Sequence, residues 1–161
     1  MTLSEQDYLS DELHPIDIVE GLAAHRDWEF DRVADDQIAM AVVGQWRTYS
    51  ITLAWSDYDE TLRMICTFEM EPPEHRVEKI YETLNRTNDM CWAGAFTFWA
   101  PQKLMVYRYG LVLAGGQTAG QEQIDTIINH QLLISSCSWG NSSCSNLIAS
   151  YAERQRAVSW K

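Results

Sequence analysis

Four histidines, four cysteines and several paired carboxylates are the side chains that could carry chemistry in this chain. A metal site needs them clustered. His14, His25, His75 and His130 are instead scattered, none three or four residues from another ligand type in a metal-binding pattern, which speaks against zinc. His25 beside Asp27 and His75 beside Glu74 read as solvated surface groups. A nucleophile needs an activated thiol or hydroxyl. Cys66, Cys91, Cys137 and Cys144 contain no C-x-x-C pair, and they read as reduced thiols, not a disulfide framework. Cys91 sits near a predicted helix C-terminus, whose negative dipole end raises a thiol pKa, so it reads as a core cysteine. No G-x-S-x-G elbow is present.

Two further patterns invite a chemical reading. Gly115-Gly116-Gln117-Thr118-Ala119-Gly120 lies between a predicted strand and a predicted helix, where phosphate groups bind. It lacks the lysine and spacing of a P-loop and is not G-x-G-x-x-G, so it reads as a turn and cap. The carboxylate pairs are Asp35 with Asp36, Asp57 with Asp59, and Glu69 with Glu71. Acid–base work requires a cleft that shifts one member of a pair, and the first two pairs fall in predicted turns, where Asp is favoured for its own hydrogen bonding. No catalytic, cofactor-binding or metal-binding residue emerges, and the expectation is a protein that is not an enzyme and carries no cofactor.

The charge points the same way. The 161 residues carry a net charge of −11. Residues 1–36 hold eleven acids and only Arg26 and Arg32 as bases, so the acidity belongs to the N-terminal fifth. Such a field repels nucleic acid phosphates and anionic lipid, and there is no basic stripe or RNA-binding motif. The acidic surface reads as solvating, or as a docking surface for a basic partner. No segment is long and apolar enough to span a membrane, and no basic-then-apolar leader marks a signal peptide, so the cytoplasm is the expected location. The glycosylation patterns at Asn85 and Asn141 are then chance matches.

The elements that would position any site follow from periodicity. Residues 1–13 read as a mobile acidic leader. Pro15 suits a first helical position and Asp17 a first turn, and Ile16, Val19, Leu22 and Ala23 share one face, predicting a helix over about 15–26. Four alternating segments follow, around Trp28–Val33, Ile38–Val42, Tyr49–Trp55 and Leu62–Met70, joined by short polar turns. Pro72-Pro73 ends that run, and Val77, Ile80, Tyr81 and Leu84 predict a second helix over about 74–92. Gly94 breaks it. Phe96–Trp99 and Met105–Leu113 read as strands around a Pro101-Gln102-Lys103 turn. Thr118 and Gln121 have capping-box spacing before a third helix with Ile124, Ile127, Ile128 and Leu132. The order α-β-β-β-β-α-β-β-α predicts an α+β fold, an antiparallel curved sheet of about six strands with helices on one side and no βαβ crossover. The domain spans 14–134; residues 135–161 form a Ser/Cys-rich C-terminal segment of uncertain structure, in which Leu147, Ile148, Tyr151 and Ala152 suit a short helix.

An ordered set of short stretches resembles a known family. The set comprises Pro15-Ile16-Asp17-Ile18-Val19-Glu20 before Asp27-Trp28-Glu29-Phe30, then Gly44-Gln45-Trp46-Arg47-Thr48-Tyr49, and Cys66-Thr67-Phe68-Glu69-Met70 leading to Arg76. Asn85 and Asn88 before Trp92-Ala93-Gly94-Ala95-Phe96, and Tyr107-Arg108 before Leu113 and Gly115-Gly116, complete it. Together they are similar to the YbjN family of bacterial sensory transduction regulators. The resemblance implies a fold like that of type III secretion chaperones and a regulatory, non-enzymatic role through contacts with other proteins. It also implies a homodimer. It supplies no catalytic residues. The tail departs from the family, with Trp139-Gly140 alone matching its C-terminal pattern. The residues themselves leave two alternatives open. One is a small-molecule-binding domain or minor enzyme with an unrecognised pocket; the other is a structural subunit of a larger complex.

Overall fold

Alternating strands must bury their apolar face, and the computed structural model shows what covers it. It describes residues 13–44, 47–91 and 93–135. The acidic leader, Leu13 excepted, and the segment after Ser135 lie outside the described residues, as do Cys137, Cys144 and the short helix expected near residue 150.

Helix α1 spans Pro15–His25, with Pro15 at its start and the His14 ring accepting the Ile16 amide at 3.3 Å. It buries Ile16, Val19, Leu22 and Ala23 and leaves through Asp27 in the left-handed region. Strands β1 (Glu29–Ala34), β2 (Gln37–Val43), β3 (Thr48–Ser56) and β4 (Thr61–Glu69) form a meander. A 3-10 turn over Glu74–Arg76 leads into α2 (Val77–Met90), followed by β5 (Ala95–Trp99), β6 (Leu104–Val112) and α3 (Gln121–Ser135). The strand order is β1-β2-β3-β4-β6-β5, antiparallel at every bonded pair.

Period-two patterning fixes the register. Phe30, Met40, Ile51, Cys66, Tyr107 and Phe96 align in one row across all six strands. Ile38, Leu53, Met64 and Tyr109 form the next row. A one-residue slip would turn both rows outward. This face, with Ile16 and Val19 of α1 and Ile124 and Ile128 of α3, makes one core. The opposite face carries small residues in register, Ala39 beside Thr52, and Ser50 between Ala41 and Thr67. Arg26 ties α1 to α3 by pairing with Asp125 and bonding Asn129 at 3.4 Å.

Three expectations need correction. First, the chain does make a crossover. β6 inserts between β4 and β5, so β5 runs parallel to β4 with β6 between them, and α2 joins the two: a split βαβ unit inside an antiparallel sheet. Hairpin turns report neighbours in sequence and cannot reveal an insertion. Second, the helix predicted from residue 74 begins as a 3-10 turn, with regular α geometry from Val77 to Met90. Third, Thr118 and Gln121 do not form the capping box. α3 starts at Gln121, so Gly120 is the cap, and the Gln123 side chain accepts the Gly120 amide at 3.3 Å. Gly120, not Thr118, is where the helix begins, and lacking a side chain it makes only the Gln123 half of a box.

Candidate functional site

Among the described residues, those that could have carried chemistry lie apart, and several have structural partners. His25 and His75 are exposed, and His14 caps α1. Asp57 accepts the Trp55 indole N–H at 2.6 Å, while Asp59 pairs with Arg63 at 2.7 Å. Hydrogen bonding from Ser56 and then from Arg63 holds the Asp59 carboxyl below its ordinary range. Gly115 gives its amide to Glu60 at 3.1 Å, so the glycine turn meets a carboxylate of its own chain. Cys66 is buried; Cys91 is half-buried, and burial pushes its thiol pKa up. Among the described residues, no three His, Cys, Asp or Glu side chains come together as a metal would require.

The N-terminal acids are partly engaged. Arg32 bonds Asp17 at 2.9 Å and Glu20 at 2.7 Å and donates to the carbonyls of Ala34 and Asp35, tying α1 to β1.

What the fold builds instead is a surface on α2. The helix lies along edge strand β5. Among its described side chains only Leu84 and Thr87 are buried, with Val77 and Ile80 half-covered. Tyr81 is 48% exposed, its ring tilted against Phe98 at 6.4 Å. Asn88 fixes the helix to the sheet edge: its amide donates to the Phe96 carbonyl at 2.9 Å and its oxygen accepts the Phe96 N–H at 2.8 Å. An asparagine thus replaces one residue of the missing next strand.

Beside the first turn of α2 lies a recess of about 650 Å³. Met70, Pro72, Pro73 and Ile80 give it an apolar lining, and Arg47, Arg76 and Lys79 bring cations to it. Arg47 donates to the Glu69 carbonyl at 2.8 Å with its guanidinium 4.9 Å from the centre of the Phe68 ring. The facing acids are Glu69 and Glu71, and Glu71 pairs with Lys103 of the β5–β6 turn, which holds its carboxyl low. Sequence reading missed this recess. Arg47 and Arg76 are far apart in the chain, and only the pairing of β3 with β4 and the Pro72-Pro73 turn bring them to one place.

The comparisons with known proteins follow from this fold. A family model, YbjN, described as "Putative bacterial sensory transduction regulator", matches residues 15–133. The solved structure described as "Crystal structure of YbjN, a putative transcription regulator from E. coli" superposes with a TM-score of 0.52 at 12% identity, covering 87% of this chain and 93% of that one. At that identity the likeness is one of fold. Comparison with curated proteins gave no match.

Proposed function

This chain belongs to the YbjN family, and from that membership we propose that it is a cytoplasmic regulatory module that acts by binding another protein and catalyses no reaction. The observation that carries this reading is the apolar stripe of α2, on which Tyr81 is exposed and Val77 and Ile80 are half-buried against the core. Val77, Ile80 and Tyr81 lie on a helix held at the sheet edge, more open to solvent than a helix packed across a core. A helix in that position offers anchors at i, i+3 and i+4 to a partner groove or to the same helix of a second copy. A homodimer through this face is part of the proposal.

The test is site-specific photo-crosslinking in bacterial cells with a photoreactive residue at position 81, and at exposed position 58 as control. The expected result is one defined product at 81, a heterologous partner or a second copy, that is lost in Ile80→Glu. No product above the position-58 background would overturn the reading. Light scattering of the purified chain then separates homodimer from monomer.

A further inference from the structure

The described part of this acidic chain contains nine Lys and Arg residues. Six of them (Arg26, Arg32, Arg63, Lys79, Arg86 and Lys103) stand within ion-pair distance of a carboxylate. Of the three that do not, Arg47 and Arg76 line the same recess, and Arg108 lies elsewhere, bonding Thr97 at 3.3 Å. In a chain with 23 acids and 12 bases, two guanidinium groups without carboxylates at one place are a departure from the pattern of the rest of the surface.

The surroundings sharpen this. Glu71 is paired with Lys103, and Lys79 shares Glu82 with Arg86, so the recess is faced by Arg47, Arg76 and a partly neutralised Lys79 against Glu69. Arg47 is held in place by the Glu69 carbonyl and the Phe68 ring, while Arg76 makes no side-chain bond to the described residues. A guanidinium offers paired N–H groups matched to a carboxylate or phosphate. Between them lie Met70, Pro72, Pro73 and Ile80, an apolar surface for an apolar body to rest on. The volume of about 650 Å³ lies within the range of small-molecule sites, about 300–1,000 Å³.

We propose that this recess binds a small amphiphilic organic anion, a carboxylate or phosphate on an apolar body, with the anionic group held by Arg76 and Arg47 and the body lying on Met70, Pro72 and Ile80. The ligand would rest on the first turn of α2, next to the stripe assigned to protein binding. Ile80 belongs to both, and the two are told apart by Arg76, which serves the recess alone, and Tyr81, which serves the stripe alone.

The experiment is an NMR titration of the full chain with four probes: octanoate, phenyl phosphate, inorganic phosphate and octyltrimethylammonium. Octanoate and phenyl phosphate are expected to shift amides confined to residues 69–83 and Arg47, and their comparison separates carboxylate from phosphate preference. Arg76→Gln removes no hydrogen bond or ion pair to the described residues, so it is expected to leave the fold intact and to weaken both by roughly tenfold, the scale of one charge-assisted hydrogen bond. Arg108→Gln should change nothing. Equal binding of inorganic phosphate would overturn the apolar half of the proposal. Equal binding of octyltrimethylammonium would overturn the anionic half, and no confined shift with any probe would overturn both.

Discussion

Asn88 is the residue on which the edge of the sheet depends most directly. Its side chain satisfies both the N–H and the C=O of Phe96, two groups that an edge strand otherwise offers to water or to another chain. Asn88→Ala is expected to cost about 1–2 kcal/mol in urea unfolding, the usual scale for leaving part-buried backbone groups unpaired. Asn85→Ala, at an exposed position one turn earlier, should cost almost nothing. Equal losses for the two would show that the Phe96 bonds carry no stability. Gly94 has a different necessity. Its φ of +79° lies in the left-handed region, and a Cβ there would strike the Tyr107 ring and sit 2.9 Å from the Arg108 carbonyl. Tyr107 is there to bond the Ala93 carbonyl at 3.0 Å. Gly94→Ala should therefore lower stability by about 1–3 kcal/mol through backbone strain, and a neutral result in the same urea assay would refute it.

At the scale of elements, α2 divides into an anchor and an outer surface. Leu84 is 5% exposed and is the main apolar plug beneath the helix, so Leu84→Ala should cost about 2–3 kcal/mol, the low end for a core leucine because the site can relax at the sheet edge. Tyr81→Ala, half in water, should cost below about 1 kcal/mol while abolishing whatever α2 binds. If the two losses are equal in thermal unfolding, Tyr81 belongs to the core and the docking surface does not exist. The elements differ in how legible they were. The strands could be read from alternation where one face is buried, as Tyr49, Ile51 and Leu53 show in burial as in sequence, although β6 also buries Val106 between Met105 and Tyr107. The start of α2 could not be read, because Glu74, His75 and Arg76 are equally suited to a 3-10 turn. The insertion of β6 depends on which apolar rows match, Cys66 with Tyr107 and Phe96 with Tyr107, a long-range choice that local pattern does not encode. The recess has another origin, the pairing of β3 with β4 and the Pro72-Pro73 turn that bring Arg47 to Arg76, and that is equally a long-range choice.

The whole molecule sets two opposed dependences on pH. At neutral pH its net charge of −11 repels itself, and acidification toward the pI near 4.6 relieves that. Below about pH 4 the balance reverses. The Asp59, Glu71 and Glu82 carboxyls are held low in the fold, Glu71 by Lys103 and Glu82 by Lys79 and then Arg86. The unfolded chain takes up protons at these groups near about pH 4, before the native chain does, so their contribution is complete above that pH and is lost as pH falls through the native values. Each group is exposed and its share is small. The alkaline side has the opposite sign: burial raises the Cys91 thiol and the Tyr109 phenol, so the unfolded chain loses those protons first and stability falls as pH rises beyond about 8.5. The urea midpoint should accordingly peak near about pH 5 and fall on both sides, with added salt raising the pH 7 value by screening the self-repulsion. Replacing the three carboxyls together, Asp59→Asn with Glu71→Gln and Glu82→Gln, should make the acid limb shallower and leave the alkaline limb in place. Because the chain turns net positive below its pI near 4.6, relief of acidic self-repulsion ends there, and a midpoint that continues to rise from about pH 5 to about pH 3 would refute the assignment of the acid limb to these paired carboxylates.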